Sequence, residues 1–261
     1  MKAKKSFGQN WLKDDKVIEA IIKSANISDQ DTILEVGPGL GALTQQLIKT
    51  KAKIVAVEAD VDLVPRLQRM FQDSSNFQLE QADILKYDHS FLPKGYKVVA
   101  NIPYYLTSKL IRNFLESSNK PSEMTLMVQK EVAERIVAKP GAMSVLSFSV
   151  QYYATAQVVL NVPKEFFEPI PKVDSAVIRI VLLAKPLFGA DSKKLFRLVK
   201  AGFGEKRKML RNSLSGGLNI TTDHADQLLL AAGISSTARA QELSMQDWHS
   251  LLQSATALGL I

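Results

Sequence analysis

Apolar positions along the first two-thirds of the chain follow two rhythms. Short runs at 32–36, 53–57, 77–81, 97–100, 124–128, 158–162 and 176–183 are rich in Val, Ile and Leu, which predicts strands, most of them buried on both faces. Between the early runs, 42–49, 61–71 and 106–115 space their apolar residues three and four apart, as helices packed on one side do. Such alternation predicts a mostly parallel, doubly wound sheet with ligands at the carboxyl ends of its strands. The last two runs are joined too briefly for a parallel crossover, so one edge strand is expected to run antiparallel.

Beyond 184–186 the strand rhythm stops. Segments 193–203, 206–214, 223–232 and 245–258 all read as helices, with Gly216-Gly217 and Gly233 as breaks between them. The expected fold is therefore α/β: a Rossmann-like, doubly wound, seven-stranded sheet with its last strand antiparallel, and a small all-α C-terminal domain. The expected boundaries are 1–184 and 185–261.

Composition narrows the function. The 261 residues are 46% apolar and 23% charged, ordinary for a soluble globular protein. There is no cysteine, which excludes a disulfide framework, a thiolate zinc site and a cysteine nucleophile. His89, His224 and His249 have no metal-ligand spacing, so no metal is expected. No apolar stretch is long enough for a membrane span, and the basic N-terminus lacks the apolar core of a signal peptide. A cytoplasmic monomer is the default expectation. The net charge of +7 fits a polyanionic partner. Much of it gathers between Lys193 and Arg211, where eight basic residues face one acid, Glu205. That stretch reads either as a solvated helical face or as a phosphate-binding surface.

Candidate chemistry sits where strands end. The run 97–100 leads into Asn101-Ile102-Pro103-Tyr104: neutral amide and carbonyl acceptors beside a flat aromatic face, suited to holding an aromatic amine such as adenine N6. The first strand leads into Glu35-Val36-Gly37-Pro38-Gly39-Leu40-Gly41-Ala42. Its glycines permit a tight turn and close ligand approach, and they also satisfy a dinucleotide-binding pattern. Glu58, 21 residues after Gly37, ends the second strand and can take both hydroxyls of a ribose. NAD and S-adenosylmethionine both remain open at this point. The third strand ends near Asp83 and Ile84, where a carboxylate can accept from an adenine amino group and the next backbone N–H can meet a ring nitrogen. Asp83 as a simple helix cap is the plainer alternative.

Taken in order, these residues resemble the class I S-adenosylmethionine-dependent methyltransferases that modify adenine N6, and most closely the ribosomal RNA small-subunit adenine dimethyltransferase (KsgA/RsmA) family. The likeness runs through essentially the whole chain. Phe7-Gly8-Gln9-Asn10-Trp11-Leu12 is similar to the family's N-terminal motif, with Trp11 in place of the usual phenylalanine. Residues 127–135 resemble its segment after strand five. Phe167-Glu168-Pro169-Ile170-Pro171-Lys172-Val173-Asp174-Ser175 resembles another family segment, and Lys206-Arg207-Lys208-Met209-Leu210-Arg211-Asn212 its C-terminal basic stretch. A longer, basic family loop is replaced here by the short, uncharged Gly141-Ala142-Met143-Ser144-Val145-Leu146.

The resemblance implies S-adenosyl-L-methionine as cofactor and two adjacent adenosines, in a hairpin loop near the 3′ end of small-subunit rRNA, as target. A role in small-subunit assembly, with the 30S particle as partner, comes with it. Asn10 and Leu12 are implied to close over the cofactor, Gly37 and Gly39 to line its methionine end, Glu58 to bind the ribose, and Asp83 with Ile84 the adenine. Asn101 would stand at the junction with the target base. In the catalytic set expected here, Asn101 and Pro103 supply acceptors, Tyr104 stacks on one face of the base, and Phe167 (or its neighbour Phe166) on the other. Lys206, Arg207, Lys208 and Arg211 are the expected RNA contacts. Three rival readings are a large-subunit adenine methyltransferase of the antibiotic-resistance type, an NAD-dependent dehydrogenase, and a non-enzymatic nucleic-acid-binding factor.

Overall fold

The structure is a computed structural model that describes residues 4, 8–189, 191–205 and 207–261. Phe7 and Lys206 lie outside the described residues. The chain runs β1 (Trp11–Leu12), α1 (Asp15–Ser24), β2 (Thr32–Val36), α2 (Ala42–Lys49), β3 (Lys53–Glu58), α3 (Val64–Met70), β4 (Phe77–Gln81), β5 (Lys97–Asn101), α4 (Thr107–Glu116), β6 (Glu123–Gln129), α5 (Lys130–Ile136), α6 (Val145–Tyr153), β7 (Ala154–Val162), β8 (Phe167–Glu168) and β9 (Ser175–Leu182). Helices α7 (Ser192–Gly202), α8 (Leu210–Leu218), α9 (Thr222–Ala231) and α10 (Met245–Ala257) complete it. No helix among the described residues is long and apolar enough to cross a membrane.

Seven strands form one sheet in the order β4-β3-β2-β5-β6-β9-β7, and β1 pairs separately with β8. The pairs β3–β4, β2–β3, β2–β5 and β5–β6 are parallel. Strand β9 is antiparallel to β6, as expected of the last strand, but it is not at the edge. The chain turns back through 163–174 and inserts β9 between β6 and β7, leaving β7 outermost. Arg179 on β9 makes two 2.7 Å bonds to the Glu123 carboxylate on β6, a bidentate pair that pins this register.

Local signals explain most boundaries. Asp14 accepts the Val17 N–H at 2.9 Å and starts α1, whose Val17, Ile18 and Ile21 are buried. Helix α3 begins at Val64 rather than 61, with Pro65 in its first turn and Val61 exposed. Ser144 and Ser147 form a capping box at the start of α6, so Val145 and Leu146 are helical rather than loop.

The chain divides into two compact units, Met1–Glu134 with Thr155–Leu182, and Arg135–Ala154 with Leu183–Ile261. The expected first domain, 1–184, thus loses 135–154 to the helical unit. The reason is apolar: Met143, Phe148 and Tyr152 are buried with Leu195, Leu198, Leu214 and Trp248, and Phe148 meets Phe196 and Trp248 edge-on. Within this unit the expected helix 206–214 starts only at Leu210. It then continues through Gly216-Gly217 to Leu218 and ends at Asn219 in the left-handed conformation. Gly233 does mark a break, with φ +71°.

Candidate active site

Strands β2, β3 and β4 step outward across the sheet, and the chain then returns to place β5 on the other side of β2. Helices and loops leaving neighbouring strands diverge at such a switch point and open a crevice. The crevice is a cavity of about 730 Å³, large enough for a nucleoside-bearing ligand. All its lining residues lie within the first unit.

Each strand end contributes. Beyond β2, Gly37 (φ +66°) and Gly39 (φ +61°) adopt left-handed backbone conformations, and a Cβ on Gly37 would meet no atom within 4 Å. Glycine is therefore needed there for backbone shape and leaves open space for a ligand. At the end of β3, Glu58 Oε2 accepts the Gly39 N–H at 3.2 Å and Oε1 accepts the Asp60 N–H at 2.8 Å. Glu58 is 6% exposed, and burial raises its carboxyl above the ordinary range despite these bonds. After β4, Asp83 lines the cavity while its Oδ1 accepts the Leu85 N–H at 3.0 Å, so it closes a turn rather than capping a helix. Buried Ile84 lies beside it in the wall.

At the end of β5, Asn101, Pro103 and Tyr104 all line the cavity. The Asn101 Nδ2 donates to the Asn10 carbonyl at 3.3 Å, which leaves Oδ1 as the uncommitted acceptor. The Pro103 carbonyl accepts the Leu106 N–H at 2.9 Å and keeps one lone pair. Tyr104 is tethered by a 2.6 Å bond between its hydroxyl and Ser175 Oγ, and burial raises its phenol, which stays neutral. Asn10 and Leu12 enter from the N-terminal segment, held by the pairing of β1 with β8. Gln9 and Lys4 anchor that segment on Asp60, at 2.9 and 2.6 Å.

Phe167 is not among these residues. It is 3% exposed and packs in the sheet core with Leu12, Met127 and Val177, and Phe166 packs on the same cluster. Strand alternation explains this: pairing with Leu12 turns Phe167 inward, so its neighbour Glu168 reaches the cavity and pairs with Lys13. The other aromatic rings in the wall are Trp11 and Tyr105, the latter 59% exposed and missed in the sequence because an aromatic beside Tyr104 carries no signal of its own. Glu35, Gln9 and Lys109 were also missed, although Glu35 opens the glycine motif and Gln9 belongs to the N-terminal one. Of the expected RNA contacts, Arg207 and Lys208 are exposed in the turn before α8. Arg211 instead reaches Asp226 on α9 at 3.3 Å. Among the described residues no group of three or more His, Cys, Asp or Glu is arranged to hold a metal.

The donor set fits S-adenosylmethionine. An open glycine turn can admit a methionine end, Glu58 retains lone pairs for hydroxyls, and Asp83 retains one for an amino group. A ribosomal RNA small subunit methyltransferase A from Dehalococcoides mccartyi is 43% identical over 255 residues, covering 96% of this chain and 88% of the relative. The crystal structure of a dimethyladenosine transferase from Plasmodium falciparum superposes with a TM-score of 0.82 at 25% identity, covering 95% of this chain and 98% of that one. The 23S rRNA methyltransferase ErmE superposes at 0.76, also 25% identical, over 94% of this chain and 99% of its own. Backbone shape is thus shared with a dimethyladenosine transferase and a 23S rRNA methyltransferase at equal identity, while the 43% identical relative is a small-subunit methyltransferase. The ribosomal RNA adenine dimethylase model matches residues 1–257, and the chain belongs to that family.

Proposed function

We propose that this chain transfers methyl groups from S-adenosylmethionine to N6 of two adjacent adenosines, twice per base, in a hairpin loop near the 3′ end of small-subunit rRNA. Its partner in this reading is the 30S particle during assembly, and it works as a cytoplasmic monomer. The observation that carries the reading is one cavity lined by the carboxylates Glu58 on β3 and Asp83 beyond β4, by the neutral acceptor Asn101 and by the aromatic ring of Tyr104.

When bound, the cofactor supplies an electrophilic methyl group on a sulfonium. Gly37 and Gly39 take its methionine end, Glu58 its ribose, and Asp83 with the Ile84 N–H its adenine, while Asn10 and Leu12 roof it. An exocyclic amine is a poor nucleophile because its lone pair is delocalised into the ring. In the first transfer Asn101 Oδ1 and a carbonyl of the Ile102–Pro103 turn would accept its two N–H bonds and favour a pyramidal nitrogen with a free lone pair. In the second they would hold the one N–H that remains. Each transfer exchanges the S–CH3 bond for N–CH3 with loss of one N–H proton to solvent. Tyr104, fixed through Ser175, stacks on the extruded base. Positioning then supplies most of the rate. Phe167 has no part in this reading while it stays in the core. Arg207 and Lys208, with Lys193, Arg197 and Lys200 exposed along one face of α7, form the phosphate-binding surface. Arg211 supports that surface through Asp226.

Tritiated methyl incorporation into unmethylated small-subunit particles and into naked large-subunit RNA tests the assignment. Label as N6,N6-dimethyladenosine in the small-subunit RNA is expected, and label confined to large-subunit RNA would sink it.

A further inference from the structure

Asp60 lies two residues beyond β3 and does not line the cavity, yet Glu58 and Gln9, which do, bond to it directly. It is 2% exposed. Its Oδ1 accepts the Lys4 ammonium at 2.6 Å and the Asp62 N–H at 3.1 Å, and its Oδ2 accepts the Gln9 amide at 2.9 Å. Its own N–H donates to Glu58 Oε1 at 2.8 Å. A buried carboxylate needs donors on both oxygens, and Gln9 is the donor on the second. The next residue, Asn10, presents its carbonyl to Asn101 Nδ2 at 3.3 Å. A carbonyl only accepts, so it dictates which end of the Asn101 amide it meets, and Oδ1 is left free. Gly8 constrains the same stretch from its other end: its φ is +58°, and a Cβ there would lie 3.3 Å from the Tyr105 ring.

We propose that Asp60 is a positioning residue for methyl transfer: through Gln9 it fixes the Asn10 carbonyl, which in turn orients the Asn101 amide so that Oδ1 rather than Nδ2 is offered to the target amine. The inference rests on the reading of Asn101 Oδ1 as the acceptor for that amine. Were the amide to turn over, its N–H bonds would face those of the amine, and the acceptor would be lost. The relay starts outside the cavity wall and ends on the acceptor, and its first member touches no reactant.

The orientation is read first in the full-length protein without cofactor. In protein carrying 15N-asparagine, the side-chain amide signal missing from Asn101→Ala belongs to Asn101. That signal should shift in both Asp60→Ala and Gln9→Ala, whereas a role confined to the turn after β3 would leave it in place in Gln9→Ala. Single-turnover methyl transfer to small-subunit particles at saturating S-adenosylmethionine should fall roughly tenfold in each variant. The double variant D60A/Q9A should be no slower than the worse single one, since one relay is cut once. Added to N101A, D60A should cost less than about twofold. Gln9 is only half-buried and lies outside the sheet, so Q9A carries the same tests if D60A does not fold. An unmoved Asn101 signal, losses that multiply in the double variant, or a full further loss in the N101A background overturns the relay alone. Absence of any transfer by the unaltered protein sinks the reading of the cavity, and the relay with it.

Discussion

Asn101→Ala removes the uncommitted Oδ1 acceptor while leaving β5, whose Val98, Val99 and Ala100 are fully buried, in place. Methyl transfer should fall by roughly 10²–10³. S-adenosylhomocysteine affinity should fall less, because Glu58 and Asp83 are untouched, and near-normal turnover would remove Asn101 from the mechanism. Glu35 makes a second prediction, about stability in the empty protein. Its folded carboxyl lies near 8 against an ordinary 4.5, so between those values the unfolded chain ionises while the folded one keeps its proton. Stability present at low pH is therefore lost as pH rises through this window, by up to about 1.4 kcal/mol per pH unit. Glu58 is shifted in the same direction, so E35Q should flatten part of the slope between pH 5.5 and 7.5 in denaturant titrations.

Among elements, the α7–α8 crossing gives paired substitutions of opposite sign. A Cβ on Gly217 would lie 2.6 Å from Ala201 Cα, whereas one on Gly216 would meet nothing within 4 Å. Gly217→Ala should lower the denaturation midpoint by an amount worth about 1–3 kcal/mol. Gly216→Ala should raise it by roughly 0.5–1 kcal/mol, the helical preference of Ala over Gly. The same crossing shows where sequence reading stops. Two adjacent glycines look locally like a break, and only the partner helix reveals them as a close approach. Strands β2, β3, β5 and β6 were legible because burial on both faces makes them largely apolar. Strand β7 was read four residues short because Ala154-Thr155-Ala156-Gln157 lacks that run. Strands β1 and β8 were missed because two-residue strands exist only through long-range pairing, and that pairing sets which way Phe167 points. The four strand-end residues Gly37, Glu58, Asp83 and Asn101 were legible because each follows directly from a readable strand.

Across the whole molecule, net charge and cavity belong to different parts of the sequence. Replacing Arg207 and Lys208 together by Glu should weaken binding to small-subunit RNA and flatten its salt dependence, by about one unit of slope for each phosphate left unneutralised. S-adenosylhomocysteine affinity should not change, since every residue lining the cavity lies outside the helical unit. A salt slope identical to that of the unaltered protein would place the RNA surface elsewhere. The chain path bears on truncation as well. Residues 135–154 leave the sheet, pack with the C-terminal helices and return, so the helical unit is threaded through the catalytic sequence rather than hung from its end. Ending the chain at 184 would strip α7–α10 from Phe148 and Tyr152, each 0% exposed, and leave them in water. A fragment ending at 184 should therefore lose solubility, because it keeps the apolar side chains of 135–154 without the helices that cover them.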